Sequence, residues 1–368
     1  MHQSNIKVPE RKLTRQVKIG GVTLGGDAPV RIQSMTTART RDVEATVDQI
    51  QQLTEAGCEL VRVACPTEAD AKALGKIKSR IKIPLIADIH FNYRFALIAL
   101  DEGVDKLRLN PGNIGKKERT VEIVEKAKKQ HVPIRIGVNG GSLEKDLMEK
   151  FGPTPEALVE SAKRHVQILE ELDFHDIIIS LKASDVPTMV AAYRLASQTF
   201  QYPLHLGVTE AGTLLRGSVY NAIGIGMLLH EGIGDTIRVS LTAESVEEIK
   251  VGKMILEAIG LRKGVRVISC PSCGRAEVDV FKLANEVETR AMKIKEPMTL
   301  SVLGCVVNGP GEAHESDFGI TGGKDKGMIY IDGQQHRVVG EAKLVDELFK
   351  DIAEKRPSAV DGKSLDKK

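Results

Sequence analysis

The sequence predicts an α/β chain: a (β/α)8 barrel of the TIM type followed by a small α+β domain. Three observations predict it. Eight short β-rich runs alternate with amphipathic stretches between about residue 30 and residue 260. The intervening stretches carry their apolar residues at helical spacing. After the eighth unit a boundary, "LRKG", precedes a different order of strands and helices. At 368 residues the chain exceeds the roughly 250 that one such barrel needs, which leaves room for a second core. The expected division is 1–262 for the barrel, 263–355 for the second domain and 356–368 for a frayed tail.

The elements follow in order. The opening "MHQSNIKVPERKLTRQVKIG" is charged throughout and lacks the apolar centre of a signal peptide. No run of eighteen apolar residues follows, so no membrane span is expected, and the cytoplasm is the expected location. The strands are "VRIQSM" (30–35), "LVRVAC" (60–65), "PLIADIH" (84–90) and "DKLRLN" (105–110). They continue with "PIRIGVN" (133–139), "DIIISLK" (176–182), "PLHLGVT" (203–209) and "TIRVSLT" (236–242). Between them lie helical patterns such as "VEATVDQIQQLTEAG" and "TPEALVESAKRHVQILEEL", the latter opening with Pro-Thr-Pro-Glu as a helix start does. No Gly-x-Gly-x-x-Gly turn follows the first strand, which counts against a dinucleotide-binding open sheet. Beyond the boundary come the strands "VRVISC", "MTLSVLG" and "GMIYIDGQ", with helices in "EVDVFKLANEVETRAMKI" and "EAKLVDELFKDIAEK". Net charge of +2 shows no basic excess of the kind that nucleic-acid binding requires.

Residues two apart on a strand share a face. On that basis Arg108 shares a face with Asn110, Arg135 with Asn139, and Ser180 with Lys182. The same holds for His205 with Thr209, Arg238 with Ser240, and Asp88 with His90. The opposite parity is mostly Val, Ile and Leu, which suits packing against a ring of helices, so the polar faces should look into the lumen or its mouth. Arg62, Arg108, Arg135, Lys182 and Arg238 come from different strands with few carboxylates nearby, and buried cations need anions. A multiply anionic ligand, phosphate or diphosphate, is expected at the C-terminal mouth. Taken singly, Asp88 and His90 read equally as structural hydrogen-bonders or catalysts. Glu210, after the seventh strand, reads as a general acid or as a lumen counter-ion. Thr213 and Ser218, placed before the helix "YNAIGIGMLLHEG", read as phosphate contacts or as simple caps.

Five cysteines make an odd count for a disulfide framework, and clustered thiols in a reducing compartment more often hold metal. Cys270 and Cys273 stand in "SCPSCGR", and Cys305 stands alone in "GCVVNGPGEAHE". A structural zinc site wants four ligands, and the candidates for the fourth are Glu312 and His314. An iron–sulfur cubane on three thiolates leaves one iron for a labile oxygen ligand such as Glu312. Asn308-Gly309-Pro310-Gly311 is expected as a tight turn that brings backbone amides and Glu312 toward Cys305. A redox dithiol is the third reading. Cys58 and Cys65 read as small buried residues.

The motifs "QSMTT", "LVRVACP", "ADIHF", "LRLNPGNIG", "RIGVNGGSL", "LHLGVTEAG", "RVSLT", "SCPSCGR" and "GCVVNGPGE" appear in one order between about residues 10 and 350. In them the chain resembles the bacterial 4-hydroxy-3-methylbut-2-enyl diphosphate synthase family, in its short form without an inserted domain. The resemblance implies a [4Fe–4S] cluster on Cys270, Cys273 and Cys305 with Glu312 at the fourth iron. It implies that 2-C-methyl-D-erythritol 2,4-cyclodiphosphate is gripped by Arg62, Arg108, Arg135, Asn139, Lys182, Arg238 and Ser240, with Glu210 as proton donor. It also implies a homodimer, one subunit's cluster domain closing over the other's barrel, and electrons from flavodoxin or ferredoxin. Two rivals remain at this point: a pterin-dependent-transferase-like barrel with a structural zinc tail, and a non-catalytic iron–sulfur module.

Overall fold

The computed structural model describes residues 10–294, 296–305, 307 and 309–360. The chain forms two compact units that divide between Leu261 and Arg262. The first opens with an antiparallel hairpin of β1 (Val17–Ile19) and β2 (Val22–Leu24). Its barrel strands are β3 (Arg31–Met35), β4 (Leu60–Ala64), β5 (Leu85–Asp88), β6 (Lys106–Arg108), β7 (Ile134–Asn139), β8 (Ile177–Lys182), β9 (His205–Leu206) and β10 (Thr236–Ile237). They pair in parallel in the order β8-β7-β6-β5-β4-β3-β10-β9. Ile179 bridges to Leu204, and its N–H donates to Pro203 O at 2.9 Å, which brings the two ends of the sheet together.

Around the strands run α1 (Val43–Ala56), α2 (Glu68–Lys78), α3 (Tyr93–Asp101), α4 (Lys117–Gln130), α5 (Lys145–Phe151), α6 (Pro155–Glu170), α7 (Val186–Thr199), α8 (Leu214–His230) and α9 (Ser245–Ala258). The caps explain their limits. Asp42 accepts from Ala45 N and Thr154 from Ala157 N, while Gly57 ends α1 at φ +105°. Val61, Val63, Ala87, Leu107, Ile136, Val138, Ile179, Leu181, Val208 and Val239 belong to the helix-facing core, as the apolar parity predicts.

The N-terminal hairpin is absent from the sequence-based expectation. Val17, Ile19 and Leu24 pack on Leu60, Ile86 and Ile178, near the N-terminal ends of β4, β5 and β8, so the hairpin covers the end of the lumen opposite the mouth. Gly20-Gly21 between alternating apolar residues was the available signal. Strands β9 and β10 are also shorter than expected. A Cβ at Gly207 would lie 2.5 Å from Arg238 O, so the backbones crowd together just past their short ladder. Gly207→Ala is expected to lower stability by about 1–3 kcal/mol, read by chemical denaturation.

The second unit is a sheet of β11 (Val265–Ser269), β12 (Met298–Leu303), β13 (Phe318–Gly323), β14 (Lys326–Ile331) and β15 (Gln334–Gly340), in that order. The first three are parallel and the last three antiparallel. Helices α10 (Val280–Ala291) and α12 (Leu344–Lys355) supply Leu283, Val287, Leu348 and Ile352 to a core with Leu300, Val302, Phe318 and Ile320. The short α11 (Gly309–His314) lies between β12 and β13. Strands β13 and β15 escaped sequence reading. The first is rich in glycine, and the second is an edge strand with mostly exposed polar residues. The expected tail also begins in folded chain: Pro357–Ala359 is a 3-10 turn with Ala359 buried against this core. Residues 361–368 lie outside the described residues.

Candidate functional site

Parity brings the polar residues of the barrel strands together as the sequence implies, and the contacts show how they are held. Asp88, at the end of β5, is the hub. It lies 3.8 Å from Arg62 Nε, 3.4 Å from an Arg108 terminal nitrogen and 3.4 Å from His90 Nε2. Burial opposes its ionisation, but Arg62, the His90 bond and Arg108 outweigh it and hold the carboxyl well below the usual range. Arg108 also meets His90 Nδ1 at 3.3 Å. Arginine can only donate, so Nδ1 of His90 is the acceptor in this contact while Nε2 faces Asp88. Asp88 therefore acts here as a counter-ion between two strands' guanidiniums.

Burial pushes Arg62 down to about 10, with Asp88 pulling the other way. Its guanidinium also lies against Met35 Sδ, at 2.9 and 3.1 Å. Arg238 pairs with Glu248 at 3.4 Å, and Ser34 donates to the same carboxylate at 2.8 Å. Glu248, on α9, is a site residue that the strand pattern could not reveal. Asn110 is locked to one peptide: its amide donates to Gly137 O at 3.1 Å and accepts from Gly137 N at 2.8 Å. Arg108 donates to the same carbonyl at 2.9 Å. Asn139 accepts from Gly141 N at 3.3 Å.

Among the described residues neither Arg135 nor Lys182 forms an ion pair, and each has only a more distant carboxylate opposing its burial. Arg135 is 1% exposed, and its Nε and one terminal nitrogen have no hydrogen-bond partner among the described residues. Burial and then Arg62 and Arg108 drive its pKa well below the ordinary value. Lys182 is lowered likewise by burial, then by Arg238 and Arg135. Below the mouth, His205 starts β9 fully buried, and neither ring nitrogen has a hydrogen-bond partner among the described residues. Its pKa is held well down by burial and the cations around it. Sequence reading missed Lys106, which is wholly buried and donates to Gln33 Oε1 at 3.2 Å. Its position two before Arg108 on one strand was the signal. Among the described residues the Nε of Arg108 and two nitrogens of Arg135 are unpartnered N–H donors of the barrel strands, and a multiply charged anion is a ligand that could take them up.

Glu210 is exposed after β9 and holds a left-handed φ of +54°, an uncommon conformation for a residue with a Cβ. Ser240 is half-buried, with its carbonyl accepting from Asn221 at 3.2 Å. Helix α8 begins at Leu214, earlier than expected, which places Ser218 inside it. Its hydroxyl donates to Leu214 O at 2.5 Å and so is spent on the helix, which corrects its reading as a residue before the helix. Thr213 is the N-cap residue but makes no side-chain capping bond.

In the second unit Cys270 and Cys305 follow the ends of the adjacent parallel strands β11 and β12. Cys270 Sγ accepts the Gly304 N–H at 3.3 Å. Cys273 is exposed, and the Arg275 N–H and guanidinium lower its thiol. Gly304 has no room for a Cβ, which would run into Val280. Of the tight turn expected at 308–311, residues 309–311 are instead the start of α11. Gly309 N donates to Cys305 O at 3.2 Å, and Glu312 is exposed on the helix. Asn308 lies outside the described residues. His314 Nδ1 bonds Gly333 O at 2.9 Å, which leaves Glu312 the freer fourth ligand. Among the described residues no three of these side chains converge into a metal-holding group. The donors nevertheless suit an iron–sulfur group: soft thiols on neighbouring strand ends, one already accepting a backbone amide, with a free carboxylate nearby in sequence. Cys58 and Cys65 are buried, and burial pushes both thiols up to about 12. They are packing residues.

No described helix is long and apolar enough to cross a membrane. Residues 14–253 match the GcpE TIM-barrel domain, and residues 266–354 match the GcpE protein C-terminal domain. A Clostridium perfringens protein is 57% identical over 344 residues, covering 93% of this chain and 99% of the relative. Proteins of Caldanaerobacter subterraneus and Thermodesulfovibrio yellowstonii are each 56% identical, covering 93% of this chain and 97% and 99% of their own lengths. All three are named 4-hydroxy-3-methylbut-2-en-1-yl diphosphate synthase (flavodoxin). Both units are matched in order and nearly end to end, so the chain belongs to the GcpE family.

Proposed function

We propose that this chain converts 2-C-methyl-D-erythritol 2,4-cyclodiphosphate to 4-hydroxy-3-methylbut-2-enyl diphosphate, a step of the non-mevalonate isoprenoid pathway. The reaction consumes two electrons and two protons and releases one water. The observation that carries the substrate assignment is the buried Arg135, beside Lys182, in a lumen whose carboxylates Asp88 and Glu248 are already engaged by other arginines. The transferase alternative has no support in the matches.

Arg135, Lys182, Arg62, Arg108, Arg238 and Ser240 bind and neutralise the diphosphate at the mouth, with Asn139 beside them. Asp88 and His90 hold the guanidiniums in place, and Asn110 fixes the Gly137 peptide that also receives Arg108. His205 supports this layer from below. Glu210, exposed at the mouth, hands a proton to the departing hydroxyl. Cys270, Cys273, Cys305 and Glu312 would hold a [4Fe–4S] cluster, which when bound supplies single electrons and a Lewis-acidic iron. Free cysteines of this kind suit a reducing cytoplasm. Reduced flavodoxin, named with the relatives, is the proposed donor in preference to ferredoxin. A homodimer completes the proposal. It is supported by the exposed stripe Leu215, Val219, Ile223 and Met227 along one side of α8, a surface suited to a self-complementary interface.

The test is anaerobic purification followed by assay with the cyclic diphosphate and reduced flavodoxin. A brown protein absorbing near ~400 nm, with a cluster signal that changes on adding substrate, is expected. A colourless, zinc-loaded protein without turnover would sink the reading. Glu312→Ala should keep most of the iron and lose roughly a hundredfold or more in kcat. Full-rate turnover by that variant would remove Glu312 from the ligand set.

A further inference from the structure

Two loops of the barrel mouth meet one buried imidazole that the substrate-binding set leaves out. The loop after β6 turns through Pro111–Asn113 directly after Asn110. Its Gly112 N–H donates to His165 Nδ1 at 3.1 Å. The other ring nitrogen, Nε2, lies 3.5 Å from Glu144 Oε1, in the loop after β7 that follows Asn139. His165 sits on α6 and is 4% exposed. An amide can only donate, so Nδ1 is the acceptor and Nε2 carries the proton toward Glu144. The fit is close: a Cβ at Gly112 would lie 2.7 Å from His165 Cε1. One ring thus spans two loops, one leading from Asn110, which holds Gly137 and with it the Arg108 contact, and one from Asn139, placed beside the substrate.

We propose that His165 is a positioning residue for the cyclic diphosphate, latching the loop after β6 directly and the loop after β7 through Glu144. The latch needs an unprotonated Nδ1. Burial lowers the His165 pKa below its ordinary value, Glu144 opposes this, and Arg164 adds to it. These two side chains are the charged groups acting on the ring. Because the folded pKa is depressed, the latch is intact above the ordinary imidazole pKa of about 6.5. It is lost as pH falls through the lower, folded value.

The proposal rests on the function given above for the turnover part of its test. Asparagine can place its Oδ1 where Nδ1 accepts, whereas phenylalanine fills the space and accepts nothing. In the holoenzyme, His165→Phe is expected to raise KM for the cyclic diphosphate about tenfold with kcat within about twofold. His165→Asn should restore most of that loss. In the substrate-free holoenzyme, amide exchange of the 110–116 peptide should be faster in His165→Phe and near wild type in His165→Asn. An unchanged exchange rate in His165→Phe overturns the latch. Faster exchange with an unchanged KM overturns the positioning role, and Asn behaving like Phe overturns the hydrogen bond as its carrier. If His165→Phe fails to fold, His165→Gln, which keeps a donor for Glu144 but misplaces the acceptor, takes its place in each comparison. A wild-type protein that ignores the cyclic diphosphate would defeat the proposed function, yet the exchange comparison would still decide the latch.

Discussion

Arg135→Met should cut affinity for the cyclic diphosphate at least about a hundredfold while making the free protein more stable. The two effects share one cause. Arg135 is essentially fully buried, with two of its guanidinium nitrogens unpartnered among the described residues and other cations pressing on it. A buried, uncompensated cation destabilises the fold that carries it, and Met replaces the stem without the charge. A gain of about 1–3 kcal/mol is expected, read as a higher Tm without ligand. Under the proposed function the same charge is what an incoming diphosphate neutralises, at a buried site where Coulomb attraction is stronger than in water. Calorimetric titration measures the loss, and the cluster spectrum should not change because the second unit has its own core. Unaltered affinity would place the ligand elsewhere. Unaltered affinity together with a lower Tm would make Arg135 a structural residue.

Cys305→Ala should remove the cluster and all turnover while sparing the barrel. Cys270 and Cys305 leave adjacent parallel strands, so losing either takes away one of three soft ligands that a cubane needs. The barrel's helix-facing core is built from residues of the first unit, so the barrel is expected to fold and to bind without iron. The expected outcome is a colourless protein with no activity that still binds the cyclic diphosphate within about threefold of wild type. Full iron content in this variant would eliminate Cys305 as a ligand. Loss of binding along with iron would mean that the second unit contributes to holding substrate.

The lumen was legible in the sequence because strand geometry is periodic. Once Arg108 and Asn110, or Arg135 and Asn139, lie two apart on strands of a helix-covered barrel, their common face follows from the pleat. Thiols at the spacing of Cys270, Cys273 and Cys305 have few alternative uses, so the sequence names them as candidate ligands, a reading that the iron content of the anaerobic protein tests. The same periodicity should have exposed Lys106, and the Gly20-Gly21 hairpin carried its own turn signal.

Compensation was not legible. That Glu248 of α9 takes Arg238, that Asp88 is shared between Arg62 and Arg108, and that Arg135 pairs with no carboxylate among the described residues all depend on distances between residues far apart in the chain. The His165 contact with Gly112 and Glu144 is of the same kind. Local pattern determines which face a side chain occupies and which chemistry it can perform. The tertiary structure alone decides which charges cancel, because electrostatic energy falls off with distance in space and is indifferent to separation along the chain.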